Sequence, residues 1–237
     1  MNWKAEVEKL LSITEGEVFE KATLESLWKL MNNGYIDMID FPISTGKEGN
    51  VFRAVCKDKF VAIKIYRINT ATFKNISKYL MYEPPQKIKK DRRSVIFAWA
   101  LKEFNNLKKL YKVGVRVPKP IAREGNIIVM EYIGTDEKPA PLLKDAEVKN
   151  YEEIFEKIKE YLHIMYHKAS LVHADFSEYN VLIHNDEPVI IDVGQTVSKE
   201  NPMAMEFLQR DVKNIVKFFK KFISIDEEEF LKYILEE

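Results

Sequence analysis

In "TLESLWKLMNNG" apolar residues return every three or four positions, with Thr23 at the head and Gly34 at the foot. That spacing predicts an amphipathic helix with its start and stop signals in place. "KAEVEKLLSI" ahead of it has the same period, so a short helical N-terminal extension is predicted over residues 1–40. From Ile43 the period shortens. "NVFRAV" and "FVAIKIYRI" are β-rich runs either side of "CKDK", the signature of a hairpin. The following "NTATFKNISKYLMYEPPQKIKKDRR" is polar and basic and is broken by Pro84-Pro85, which predicts a partly mobile insert over about 69–93.

Helical spacing resumes in "VIFAWALKEFNNLKKLYKVG", ending at Gly114. "NIIVMEYI" reads as a strand and "PAPLLKDA" as a connection, and "NYEEIFEKIKEYLHIMYHKA" is a second long helix. Two short apolar stretches follow, then "MEFLQRDVKNIVKFFKKF" and "DEEEFLKYILEE" as closing helices. Strands with one helix, then mostly helices, predict an α+β protein of two lobes. The first spans 41–131 and the second 132–237, with the changeover near Tyr132 to Lys138.

Composition narrows the functional classes. At 237 residues, 46% hydrophobic and 31% charged, the chain is an ordinary globular protein with enough length to bury a core. Lys+Arg and Asp+Glu both number 37, so net charge favours no polyanionic partner. The single cysteine, Cys56, excludes an internal disulfide, fits a reducing cytoplasm and reads as a small core residue. No disulfide-linked partner is expected. The charged N-terminus lacks a signal-peptide core, and no apolar run reaches the ~18 residues of a membrane span.

The chemistry lies in three places. Ser44-x-Gly46-x-x-Gly49-x-Val51 puts a glycine-rich turn between strands, where backbone N–H groups can approach phosphates. It makes Ser44, Thr45, Gly46, Lys47, Glu48, Gly49, Asn50 and Val51 candidate nucleotide contacts; a plain hairpin turn is the alternative. Lys64 interrupts the apolar "VAIKIY", where a lysine needs a partner or a route to solvent. A phosphate-holding lysine is oriented by a helix glutamate. Glu83 is followed by two prolines, whereas Glu103 lies mid-helix, so Glu103 is the choice. The third place is "LVHADFSEYNVLI" with "VIIDVGQTV", which set Asp175, Asn180 and Asp192 in apolar frames. Phosphoryl transfer needs a carboxylate at the attacking oxygen, and an amide oxygen and a carboxylate on Mg²⁺. Taken singly these are turn residues. His173 reads equally as a packed core histidine, and His163, His167 and His184 show no metal-ligand spacing.

Together these stretches, with "WALKEFNNLKKL", "MEYIG", "PAPLLKD" and "MEFLQRDVKNI", resemble the protein-kinase fold and specifically the RIO kinases, an atypical family. The likeness is to the first RIO subfamily, without the winged-helix domain of the second. Against ordinary kinases the chain departs in four ways. Ala174 stands where Arg precedes the catalytic Asp, and Val193 replaces the Phe of Asp-Phe-Gly. No Ala-Pro-Glu follows Asp192, which implies a truncated C-terminal lobe and weak action on free peptides. The insert, with Lys87, Lys89, Lys90, Arg92 and Arg93, suits either a solvated loop or an RNA contact, and Thr70, Thr72, Ser77 and Ser94 are candidate self-phosphorylation sites.

The resemblance implies an ATP- and Mg²⁺-dependent serine/threonine kinase and ATPase (Mn²⁺ as a substitute metal). It implies autophosphorylation and a partner in the precursor of the small ribosomal subunit, its rRNA and ribosomal proteins. Asp175 would be the base, and Asn180 and Asp192 the metal ligands. Asp192 could also carry an aspartyl-phosphate, and the backbone of Glu131 and Ile133 would meet adenine. The alternatives are a small-molecule kinase of the aminoglycoside or sugar type, and a non-catalytic ATP-binding assembly scaffold.

Overall fold

The structure, a computed structural model, describes residues 21–68 and 91–236. The helix expected in "KAEVEKLLSI", Glu83 and most of the basic insert, with Thr70, Thr72, Ser77, Lys87, Lys89 and Lys90, lie outside the described residues. The chain divides into two compact units. One runs to Phe104 and adds Pro120–Tyr132; the other comprises Asn105–Lys119 and Ile133–Glu237.

The first unit is built on a five-stranded antiparallel sheet in the order β1-β2-β3-β5-β4. Its strands are β1 (Met38–Thr45), β2 (Gly49–Cys56), β3 (Lys59–Tyr66), β4 (Pro120–Glu124) and β5 (Ile127–Glu131). Side chains alternate across a strand. On β2 and β3, Phe52, Ala54, Ile63 and Ile65 therefore enter the core, joined by Leu27 and Leu30 of α1 (Lys21–Asn32). The same alternation turns Lys64 to the other face, in register with Val51 on β2 and Ile128 on β5. The β2–β3 turn has Lys57 and Asp58 at φ 49° and 62°, the two left-handed residues of a type I′ hairpin. Cys56 is half-buried, and its thiol faces the Gly34 carbonyl at 3.4 Å.

Two strands were not evident in the hydrophobic pattern. β1 begins at Met38, five residues before the change of period, and its register slips on both sides of Pro42. Proline lacks the N–H a regular ladder needs, so an edge strand with an irregularity is where it fits. β4 is only five residues long and carries Pro120, Arg123 and Glu124.

Helix α2 (Arg92–Lys112) starts behind Asp91, whose carboxylate accepts from the Ser94 backbone N–H at 2.9 Å and from its hydroxyl at 2.7 Å. Of the four proposed self-phosphorylation positions, Ser94 is the one described, and its hydroxyl is engaged in this way.

In the second unit α3 (Tyr151–His167) is capped by Asn150, which accepts from the N–H groups of Glu152 and Glu153. Asp226 does the same for α5 (Glu227–Leu235). Phe155 of α3 packs on Phe219 of α4 (Ala204–Phe219) and on Phe230 of α5, with ring centroids 5.3 and 5.0 Å apart. Strands β6 (Leu171–Val172) and β9 (Val197–Ser198) pair with each other, as do β7 (Val181–His184) and β8 (Glu187–Ile190). No helix among the described residues is long and apolar enough to cross a membrane.

Candidate active site

The nucleotide-contact candidates of the first unit are set by its sheet. The turn between β1 and β2 closes with the Gly46 N–H donating to the Gly49 carbonyl at 2.9 Å. Ser44, Thr45, Gly46 and Lys47 are exposed, Glu48, Gly49 and Val51 are half-buried, and Asn50 is buried. Gly49 is required by packing: a Cβ there would lie 2.4 Å from the Ile65 carbonyl oxygen on β3. At Gly46 the nearest atom would be 3.3 Å away. Asn50 accepts from Arg67 at 3.2 Å, which fixes its amide beside the turn. Glu131 closes β5; two residues on, Ile133 is buried, and its carbonyl accepts from the Ala140 N–H.

Lys64 donates to both carboxylate oxygens of Glu103, at 2.9 and 3.0 Å across 39 residues of sequence. The Glu103 side chain is 2% exposed and that of Lys64 13%. An ion pair so far from water persists only with both partners in place. Glu103 therefore fixes the ammonium on the sheet face that Val51 and Ile128 share.

In the second unit Asp175, Asn180 and Asp192 come together. Asp175 and Asp192 are exposed, although the residues around them, Ala174, Phe176 and Val193, are fully buried. The Asn180 carboxamide donates its N–H to the Asp175 carbonyl at 2.7 Å, and the Asn180 carbonyl accepts from the Ile191 N–H at 3.0 Å. The first bond ties the two ends of the 175–180 loop; the second ties that loop to the residue before Asp192. His173 adds another link, its Nε2–H donating to the Ile191 carbonyl at 3.2 Å. Burial holds His173 neutral, with its pKa lowered to about 4. Its packing against the Phe176 ring, 5.3 Å between centroids, is that of a core histidine.

Partial burial raises the Asp175 carboxyl above the usual carboxylate range. Arg210 opposes this, and the like charge of Asp192 adds to it. Gln195 donates to Asp175 at 3.2 Å. Ala174 and Asp192 have φ of 66° and 58°, a left-handed conformation that L-residues adopt only when the surroundings impose it.

Sequence reasoning missed Asp211. It lies on α4, 1% exposed, and its two oxygens accept from the backbone N–H groups of Ala174 and Phe176 at 2.7 and 2.8 Å. Burial pushes its carboxyl up to about 7 against the pull of those two bonds. The signal was present: Asp211 falls in line with Leu208 and Ile215 on the apolar stripe of α4.

The donors fit a hard cation. The Asn180 amide oxygen and the Asp192 carboxylate are the all-oxygen set Mg²⁺ takes alongside substrate phosphates. The Asn180 N–H bond to the loop backbone leaves that amide's oxygen for such a role. Among the described residues no group of three or more His, Cys, Asp or Glu side chains forms a metal cage.

Comparison with known proteins resolves the relationship. A family profile described as the RIO domain matches residues 50–230. The chain belongs to the RIO domain family. The RIO-type serine/threonine-protein kinase Rio1 of Haloferax volcanii is 45% identical over 209 residues, covering 87% of this chain and 72% of the relative. That of Methanocaldococcus jannaschii is 39% identical over 223 residues, covering 93% and 77%. Human serine/threonine-protein kinase RIO1 is 37% identical over 214 residues, 88% of this chain and 38% of the human protein. Among solved structures, the Rio2 kinase of Chaetomium thermophilum superposes with a TM-score of 0.71 at 22% identity, covering 96% of this chain and 76% of that one. The same kinase as an ADP/Mg²⁺-phosphoaspartate complex gives 0.68 at 22% identity, covering 93% and 68%. The fold of this RIO domain is protein-kinase-like.

Proposed function

We propose that this RIO domain is an ATP- and Mg²⁺-dependent serine/threonine kinase that phosphorylates itself and also turns ATP over by hydrolysis. The observation that carries the reading is the extent of the family match, whose residues 50–230 include Lys64, Glu103, Asp175, Asn180 and Asp192. Lys64, held by Glu103, neutralises the phosphates, and the turn from Ser44 to Val51 supplies backbone donors to them. The backbone of Glu131 and Ile133 meets the base. Asp175 takes the proton of the attacking hydroxyl, and Asn180 and Asp192 hold the metal. When bound, Mg²⁺ neutralises charge developing on the phosphates.

The same residues support a two-step hydrolysis. An Asp192 oxygen attacks the γ-phosphorus, ADP leaves, and water then cleaves the acyl-phosphate. The phosphoaspartate in the Chaetomium thermophilum Rio2 complex supports this reading. The test is the chemical stability of label from γ-labelled ATP. Hydroxylamine-labile label that is lost in Asp192→Asn is expected. Alkali-labile label on Ser or Thr alone would leave a conventional autokinase. ATP use that rises only with an added small-molecule acceptor would favour the small-molecule kinase instead, and tight ATP binding with no turnover a scaffold.

We also propose a partner, the cytoplasmic precursor of the small ribosomal subunit, with its rRNA and ribosomal proteins, as the resemblance of the sequence motifs to RIO kinases implies. Co-sedimentation of the chain with such precursors, gained with ATP and lost on its hydrolysis, is the expected behaviour.

A further inference from the structure

Asp175 is exposed, yet the residues on both sides of it are held from one place. Helix α4 presents Arg210, Asp211 and Asn214. The Ala174 N–H donates to Asp211 Oδ2 at 2.7 Å, and the Ala174 carbonyl accepts from the Arg210 guanidinium. The Phe176 N–H donates to Asp211 Oδ1 at 2.8 Å, and the Phe176 carbonyl accepts from the Asn214 amide at 3.3 Å. All four backbone polar groups flanking Asp175 thus find partners in three side chains within five positions of one helix.

The loop needs such a hold. Ala174 has φ 66°, which an alanine adopts unwillingly and a glycine freely. Asp211 fixes the donors of this stretch, but a carboxylate can do nothing for its carbonyls. Those fall to Arg210 and Asn214. The Arg210 stem is steadied by its guanidinium lying over the Phe207 ring, 5.0 Å from the centroid. Leu208, Val212 and Ile215 of the same helix are buried, so α4 is a fixed base for the three side chains.

We infer that Arg210 and Asn214 are positioning residues for phosphoryl transfer, holding Ala174 left-handed and so aiming the Asp175 carboxylate at the attacking oxygen. This rests on the phosphotransfer reading, and the experiment separates the two. Single-turnover transfer from ATP and nucleotide affinity are measured for wild type, Arg210→Met, Arg210→Lys, Asn214→Ala and the double variant Arg210→Met/Ala174→Gly. Misaiming of a reacting group with binding intact lowers the rate by on the order of 10- to 100-fold. Arg210→Met is expected to show that loss with ATP affinity within about twofold of wild type. Arg210→Lys and Asn214→Ala should lose less. Glycine at 174 should restore part of the rate to Arg210→Met, because it needs no clamp to be left-handed. A residue that only stabilised the fold would give no such rescue.

Wild-type rates in the Arg210 and Asn214 variants overturn the inference, as does a rate loss that glycine at 174 leaves unchanged. If Arg210→Met does not fold, Arg210→Lys takes its place in the same comparison, with and without Ala174→Gly. Wild-type protein that binds ATP and transfers nothing overturns the phosphotransfer reading and this inference with it.

Discussion

Lys64 and Glu103 show what the fold commits at single residues. With the Glu103 side chain 2% exposed, removing the Lys64 ammonium strips a buried carboxylate of that counter-charge. Lys64→Met is expected to lower unfolding free energy by about 3–5 kcal/mol, and Lys64→Met/Glu103→Leu by clearly less, because a matched apolar pair carries no desolvation cost. Urea denaturation of both variants checks this. His173 gives a pH dependence. Its folded pKa of about 4 lies below its ordinary 6.5, so the folded state binds fewer protons between those values. Its contribution to stability is complete above pH 6.5 and is lost as pH falls through 4. His173→Gln should flatten the fall in wild-type stability across that window, by at most roughly 3 kcal/mol. Asp211, with its pKa raised to about 7, acts in the opposite sense, its contribution falling as pH rises towards that value. It is present in both proteins and cancels in the comparison.

Among the elements, the β1–β2 turn separates two reasons for a glycine. Gly49→Ala is expected to cost about 1–3 kcal/mol, since its Cβ would strike the Ile65 carbonyl of the next strand at 2.4 Å. Gly46→Ala, with 3.3 Å available, should cost less, and the two urea midpoints decide it. The long helices α2 to α4 were legible because a repeat near 3.6 residues accumulates over many turns. β1 was not, because Pro42 and the half-exposed Asp40 interrupt the alternation, and β4 is too short to show one. The spacing of Asp175, Asn180 and Asp192 could be read because their chemistry is local. Asp211 and Arg210 act on backbone groups more than thirty residues away; the apolar stripe of α4 marks Asp211 as a buried carboxylate but does not name its partner.

For the whole molecule, relationship and geometry point the same way. The Rio2 kinase shares only 22% of its residues with this chain yet superposes with a TM-score of 0.71. A kinase-like fold thus tolerates wide change where packing is conserved in kind. If the chain binds ATP with Mg²⁺, the nucleotide must stabilise it. At a concentration about a hundredfold above its Kd the gain is ~2.7 kcal/mol, read as a rise in Tm. Asp192→Asn should weaken the Mg²⁺ requirement of that rise, and Lys64→Met should reduce the rise itself.

The role proposed for Asp175 is in phosphoryl transfer from ATP. Its most direct test is the single-turnover rate of phosphoryl transfer from bound ATP and Mg²⁺ to the chain's own Ser and Thr hydroxyls, in wild type and in Asp175→Asn, with nucleotide affinity measured alongside. A fall of about 10²- to 10⁴-fold is expected in the variant at nearly unchanged affinity. Equal rates in the two proteins would contradict it.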